Sequence, residues 1–400
     1  NYQVLGGNAH PLADGFFDEN PAKWTGNGAR APKPDINDWY ETVKVNYGVK
    51  PDGSYDFPTL PKNIETKDYR VHYAFWQDKE LPNSWYKFRD IALFWLDKGV
   101  DGFRYDMAEM VPVEFWSFLN SSIKMQKPDA FLLAEVYNPK MYRAYIHQGK
   151  MDFLYDKVGF YDTLKAIMQS KQSANTIFDA HKTVADIEQH MLHFLENHDE
   201  QRIASPDFAG NAVWGKPAMV VSNLISRAPS LIYFGQDVGE DGSENAGFGS
   251  PTRTSIFDYI GVPAHQAWMN NGKFDGAKLT NEQAALREYY KAIMALNSLP
   301  AVVGGDMQKL NLTGSDRIVG FSRTLGQQTI LVLSNFSDQT QSISVDLSLE
   351  QVTKLGESSL IVDLLEQHQV ELKTHSQGAT FNLTLDAFSS AVLTNKANNE

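Results

Sequence analysis

Cysteine is absent from the 400 residues. That removes disulfides, thiol nucleophiles and cysteine-ligated zinc together, and it leaves the redox compartment undecided. No run of about 18 apolar residues occurs, so no stretch reads as a membrane-spanning helix. The chain does not open on a basic n-region with an apolar h-region behind it, as is also true of a mature or trimmed protein. Dense Lys/Arg runs are missing, and the formal charge is −13 with a pI near 5.3. So acidic a chain repels phosphate backbones, which argues against nucleic acid as a partner. Neither fixed-period repeats nor low-complexity tracts interrupt it.

What is present fits a globular chain, with 42% hydrophobic and 21% charged residues. The length suffices for a large core and two or three domains. Aromatics reach 12%, including 8 Trp and 17 Tyr. Flat rings of this kind line sugar-binding clefts, and they fill large cores equally well.

Residues 1 to 75 are rich in Gly, Pro, Asn and Asp. "ARAPKPDINDWYETVKVNYG" and "VKPDGSYDFPTLPKN" read as ordered irregular excursions, punctuated by Trp39, Tyr40, Tyr47 and Phe57. From Pro82 the pattern becomes helical. Asn83 or Ser84 is the expected cap, Trp85, Phe88, Ala92 and Trp95 recur at helical spacing, and Gly99 follows as a C′ residue. A short strand ending at Asp106 comes next, then a helix around "PVEFWSFLNSSIKM". The alternation continues through the strands "AFLLAEVY", "MDFLYD", "MLHFLENHD" and "SLIYFGQD", with helices between them including "FDAHKTVADIEQH". Apolar strands alternating with helices predict a parallel sheet with helices outside it over residues 76 to 300. After Pro300, short alternating runs such as "RIVGFSRT", "QTILVLSNF", "SISVDLSL" and "AVLTN" predict an all-β sandwich over 301 to 400.

Acids stand at or near the ends of the predicted parallel strands, among them Asp106, Glu135 and Asp199. Strand ends of a parallel barrel converge on one mouth, so acids 29 and 64 residues apart can be neighbours. One such acid is weak evidence, because strand-end carboxylates also cap helices. Three of them, with Arg104 and His198 alongside, point to chemistry. A trio of carboxylates serves either a divalent metal in a lyase-type barrel or glycoside hydrolysis with one nucleophile and one general acid. Arg104 lies two residues before Asp106, on the same strand face. A guanidinium there competes with a cation, whereas it would hold a nucleophile ionised and oriented.

In order and spacing, "GFRYD", "LLAEVY" and "FLENHD" resemble three signature strand ends of the α-amylase superfamily of glycoside hydrolases. "PSLIYFGQDVG" is similar to that family's eighth barrel strand, and "RTSIFDY" to the loop beyond it. The resemblance covers essentially the whole chain. It implies an α/β fold: a (β/α)8 TIM barrel with strands four to eight visible here, a loop-rich domain B, and a C-terminal all-β sandwich domain. It further implies that Asp106 is the nucleophile, Glu135 the general acid and base, and Asp199 a clamp on sugar hydroxyls. Arg104 would orient Asp106, and His198 would donate to the same sugar. The expected activity is retaining hydrolysis of α-1,4-glucosidic bonds in starch, glycogen or maltooligosaccharides. A transglycosylase uses the same residues, and a non-catalytic glucan-binding or scaffold barrel is the remoter alternative. Secreted or periplasmic placement suits a polymeric substrate.

The chain departs from the family pattern in two places. The signature of the third strand, an Asp ending in Asn-His, is missing, and "GNAH" at residues 7–10 does not replace it. The first three barrel strands are then expected from another segment. Many starch-cleaving members follow the nucleophile with a small residue and then Lys-His, whereas here Ala108 precedes Glu109 and Met110. Structural Ca2+ is a family expectation whose ligands the sequence does not identify; Asp35, Asp38 and Asn46 are candidates, although loop acids are more often solvated. Other signals fail. "GNAVWGKP" has Pro217 where a phosphate loop needs Ser or Thr, His190 and His193 lack a zinc spacing, and "NLT" at 311 and 382 matches a glycosylation triplet that is common by chance.

Overall fold

The structure, a computed structural model, describes residues 45–50, 52–242, 254, 262–356 and 359–395, and the backbone of two N-terminal strands. Those strands, β1 (Tyr2–Val4) and β2 (Phe17–Glu19), pair antiparallel. The chain divides into two compact units: residues 1–103, 110–131 and 147–150, and residues 104–109, 132–146 and 151–400. "GNAH", Asp35, Asp38 and, apart from Thr254, "RTSIFDY" lie outside the described residues.

The first unit packs three helices, α1 (Tyr69–Trp76), α2 (Asn83–Asp97) and α3 (Val113–Gln126), around aromatic side chains. Trp85 is fully buried, with its ring edge-on to Trp76 at 5.8 Å and to Phe115 at 5.5 Å. Such pairs add ~1 kcal/mol beyond the area they bury. Pro82, not Asn83 or Ser84, takes the cap position of α2, because Ser84 Oγ donates instead to the Asn46 carbonyl at 2.6 Å. Trp95 also differs from expectation. It is half exposed, and Leu96 takes its place on the buried stripe with Trp85 and Ala92.

The alternating region forms one five-stranded sheet in chain order: β3 (Gly102–Tyr105), β4 (Phe131–Ala134), β5 (Phe153–Tyr155), β6 (Met191–Phe194) and β7 (Ser230–Leu231). It is parallel from β4 to β7. With the helices that follow its strands, α4 (Tyr142–His147), α5 (Asp162–Met168), α6 (Thr176–Thr183), α7 (Lys216–Leu224), α8 (Pro263–Met269) and α9 (Asn281–Ala295), it is a partial (β/α) barrel. Gly102 is required at the start of β3, since a Cβ there would lie 1.9 Å from the Phe131 carbonyl oxygen. Two predicted elements are shorter than their apolar runs. "SLIYFGQD" keeps only Ser230–Leu231 in the ladder, because its chain turns through left-handed Gly235 and Gly239. The helix in "FDAHKTVADIEQH" stops at Thr183, where Val184 leaves helical geometry, and a separate turn forms over Glu188–His190.

After α10 (Pro300–Gly304) the chain is almost all β, apart from the short α11 (Leu349–Leu355). The strands are β8 (Asp306–Lys309), β9 (Asn311–Thr313), β10 (Ile318–Leu325), β11 (Gln328–Asn335), β12 (Gln341–Ser348), β13 (Leu360–Asp363), β14 (Gln369–Glu371), β15 (Lys373–His375), β16 (Gly378–Leu385) and β17 (Ser390–Asn395). They make two antiparallel sheets, β14-β13-β17-β11-β10-β8 and β15-β16-β12-β9. Ile318, Leu331, Leu333 and Leu393 face a core shared with Val345, Phe381 and Leu383 of the second sheet, which makes a sandwich. Their alternates Val319, Phe321, Val332 and Val392 join the core of the barrel helices, with Met219, Leu224 and Ile293. This is why "TILVL" reads as an unbroken apolar run: both faces of β11 are buried. Arg323 fastens the joint, donating to the Ile225 carbonyl and the Val302 carbonyl, each at 2.7 Å.

Candidate active site

The acid ends of β3 and β4 meet. Asp106 follows the last residue of β3 and Glu135 the last of β4, and the ladder continues through Glu135 N–H to the Tyr105 carbonyl at 3.0 Å. One guanidinium joins the two carboxylates: Arg104 Nη1 donates to Asp106 Oδ1 at 2.7 Å and Nη2 to Glu135 Oε2 at 3.2 Å. The expected sharing of a strand face by Arg104 and Asp106 is therefore realised, and it extends across to the next strand. Met107 adopts φ 49°, a left-handed conformation that costs a β-unbranched residue about 1 kcal/mol. It aims the Met107 N–H at Glu135 Oε2, 2.9 Å away.

Exposure separates the two acids. The Asp106 side chain is 55% exposed and that of Glu135 only 10%. Leu133, Ala134 and Val136 beside Glu135 are all buried. Arg104 is partly buried, which opposes its charge, but hydrogen bonds with Asp106 and Tyr155 and the nearby Glu135 charge hold its pKa above the ordinary value. Its guanidinium also lies 5.7 Å from the Tyr155 ring centroid.

Asp199 lies in the loop after β6. His198 Nε2 is 3.2 Å from Asp199 Oδ2. Asn197 shapes the loop, its side-chain oxygen accepting from the N–H groups of Asp199 and Glu200 at 2.8 Å each. Two tyrosines register the convergence. Burial raises the pKa of Tyr155, the Arg104 hydrogen bond lowers it, and Glu135 and Asp199 both raise it. Burial likewise raises that of Tyr137, reinforced by the charge and hydrogen bond of Glu135 and then by Asp199. Arg104, Asp106 and Glu135 thus form one hydrogen-bonded group, His198 and Asp199 a second pair, and the Asp199 charge acts on Tyr137 and Tyr155 beside the first.

A profile described as "Alpha amylase, catalytic domain" matches residues 66–287, more than half of the chain. The chain belongs to the alpha-amylase family. Neopullulanase 2 of Thermoactinomyces vulgaris is 22% identical over 366 residues, covering 89% of this chain and 52% of that protein. An alpha-1,4-glucan:maltose-1-phosphate maltosyltransferase of Cereibacter sphaeroides is 35% identical over 104 residues, 26% of this chain and 17% of that protein. The chain thus spans about half or less of the length of these curated relatives. Among solved structures, an alpha-amylase from Geobacillus thermoleovorans complexed with acarbose has TM-score 0.59 and 20% identity, covering 84% of this chain and 69% of that one. AmyP in complex with maltose has TM-score 0.60 and 16% identity, covering 88% and 72%. These structures share the alpha-amylase fold.

In this alpha-amylase family chain three contributors were not assigned from the sequence. Tyr137 and Tyr155 were hidden among 17 tyrosines, and only the strand order brings them to the acids. Glu109 looked like a departure from the family pattern; its carboxylate accepts from the N–H groups of Tyr137 and Asn138. An acid three residues after Asp106, where Lys is common in the family, was the available clue.

For calcium the described residues offer Asn46, whose side-chain oxygen already accepts from the Gly48 N–H at 2.8 Å. Another group with metal-ligand chemistry, Asp363, Glu366 and His368, sits in the β13–β14 turn, away from the strand ends. His190 and His193 each spend Nδ1 on a backbone carbonyl at 2.8 Å, of Asp152 and Ser222.

Proposed function

We propose that this chain carries the reaction centre of a retaining α-glucan-active enzyme, with hydrolysis of α-1,4-glucosidic bonds as its main outcome. The observation that carries the reading is the single Arg104 guanidinium holding both Asp106 and Glu135. Clipped to one side chain, the two carboxyls are close neighbours, as a retaining mechanism with a separation of roughly 5–5.5 Å needs. In the first step an Asp106 oxygen bonds to the anomeric carbon as the glycosidic bond breaks, and Glu135 gives its proton to the leaving oxygen. In the second, Glu135 takes a proton from water, the water oxygen bonds to the same carbon, and the Asp106–sugar bond breaks. Two inversions give net retention. Arg104 keeps Asp106 ionised and aimed, and Asp199 with His198 grips hydroxyls of the sugar at the reacting position.

Maltose and acarbose in the complexes of related proteins favour a glucan as the substrate class. The maltosyltransferase relative favours transfer as the second reading, with a sugar hydroxyl replacing water in the second step. The remaining barrel strands are proposed to come from another segment, since β3 and β7 form the edges of the described sheet. Calcium is proposed only as a structural ion with no part in bond making.

Mass spectrometry of maltoheptaose, incubated with the full chain and with Glu135→Gln, tests the reading. Shorter oligosaccharides from the wild type and none from the variant are expected. Products longer than the substrate would move the assignment to transfer, and an active Glu135→Gln would sink it.

A further inference from the structure

We propose that Glu109 is a positioning residue that sets the aim of Glu135, a role that rests on reading Glu135 as the proton donor. Glu109 lies in a single turn (Ala108–Met110) two residues after Asp106 and touches the backbone at and beyond Glu135 at three points. Its N–H donates to the Glu135 carbonyl at 3.3 Å. Its Oε2 accepts from the Tyr137 N–H at 2.8 Å and the Asn138 N–H at 2.9 Å. Its own carbonyl accepts from the Tyr145 hydroxyl at 3.1 Å, which holds the turn in place.

Together with the Glu135 N–H to Tyr105 bond, these contacts clamp the main chain of Glu135 before and after its Cα. They also fix the backbone of Tyr137, whose side chain feels the Glu135 carboxylate. The path is short: Glu109 carboxylate and N–H, the backbone from Glu135 to Asn138, then the Glu135 side chain. The nucleophile loop thereby locates the acid on the neighbouring strand, and one segment controls both reacting groups.

Residue type decides whether this is possible. A carboxylate accepts hydrogen bonds from several N–H groups, whereas a lysine ammonium carries three donors and no acceptor. A lysine at 109 would present donors to the Tyr137 and Asn138 amides and could hold neither. The departure at this position is therefore a change of task. The side chain is turned to the protein backbone, where it accepts, and is not offered to sugar hydroxyls as a donor.

Two substrates separate aim from general damage. Maltoheptaose has a poor leaving group that needs the Glu135 proton; α-maltosyl fluoride leaves without strong acid assistance. With Glu109→Lys, kcat on maltoheptaose is expected to fall about 100-fold, while kcat on the fluoride falls less than about 5-fold and KM for both stays near wild type. Glu109→Gln, which keeps one acceptor oxygen, should restore most of the maltoheptaose rate. The fluoride rate also reports that the variant is folded. Equal losses on both substrates, a rise in KM with kcat preserved, or no loss at all would overturn the positioning role. An active Glu135→Gln on maltoheptaose would overturn the reading beneath it, and the role with it; a dead Glu135→Gln with equal Glu109→Lys losses would remove the role alone.

Discussion

Two arginine–carboxylate groups in the barrel unit have nearly the same chemistry and opposite settings. At the strand ends Arg104 holds Asp106 and Glu135 with side chains 28%, 55% and 10% exposed. Deeper in, Arg202 Nη1 donates to Glu196 Oε2 at 2.7 Å with side chains 0% and 2% exposed. Protein partners take most of the buried pair's remaining hydrogen bonds, and Arg202 Nη2 is left without one among the described residues. Arg202 also donates to the Phe234 carbonyl at 2.9 Å and lies 4.6 Å from the Tyr233 ring centroid, while Glu196 accepts from the Ile203 N–H at 2.6 Å. Burial pushes the Glu196 pKa up, against the pull of Arg202. A charge pair this deeply buried is out of reach of a substrate in solution. The pair at the strand ends leaves Asp106 half open to solvent, and openness is what a nucleophile requires. Under the proposed function the same interaction would set stability in one place and rate in the other.

Substitutions can break that contrast. Asp106→Asn should lower kcat on the order of 10⁴-fold, by analogy with the loss of other covalent nucleophiles, and leave the urea midpoint nearly unchanged. Arg202→Met should do the reverse. It strands a buried carboxylate, costs about 3–5 kcal/mol in a urea titration, and leaves kcat of the folded fraction close to wild type. If Arg202→Met slowed turnover without destabilising, the division would be wrong.

Arg104→Lys sharpens the contrast at the strand ends. Lysine keeps the charge but cannot span two carboxylates with a planar fork, so kcat should fall about 10²-fold with a much smaller change in stability. A rate within a factor of two of wild type would show that charge alone suffices.

A third buried acid extends the comparison to pH. Burial lifts the Asp156 pKa to about 6, and burial lowers that of His193, whose Nε2 is 3.9 Å from Asp156 Oδ2, to about 4. The signs oppose. Asp156 contributes stability that is full below its ordinary value and lost as pH rises through about 6. His193 contributes stability that is full above its ordinary 6.5 and lost as pH falls through about 4. Asp156→Asn should leave only the histidine's contribution, so chemical denaturation would show stability rising between pH 4 and 6.5 more steeply than in the wild type. A flat profile would contradict it. The smallest effect belongs to Arg143→Ala, which removes an exposed pair with Asp186 and should shift stability by less than about 1 kcal/mol.

The legible and illegible parts of the molecule divide along physical lines. β4 and β6 were readable because a strand buried on both faces is an apolar run, as in "FLLA" and "MLHF". Asp106, Glu135 and Asp199 stood out because each charge interrupts or ends such a run. Trp95 misled because local periodicity does not report which stripe of a helix meets a neighbour. β7 misled because two glycines with left-handed geometry cut a strand that composition would have continued. Glu109 was visible and its task was not, since backbone N–H groups from a residue 28 positions away carry no mark in the sequence.

By itself the sequence determined the alternation of strands and helices, the all-β character beyond Pro300, and the identity of the charged residues at the strand ends. Those follow from local periodicity and from the cost of placing charge beside apolar strands. Tertiary structure alone decided that one guanidinium grips two acids and that Met107 bends to point its N–H at Glu135. It also decided that Glu109 turns toward the next strand rather than to solvent. These depend on distances across a ladder between segments about thirty residues apart, and chain spacing does not encode such distances until the sheet has formed.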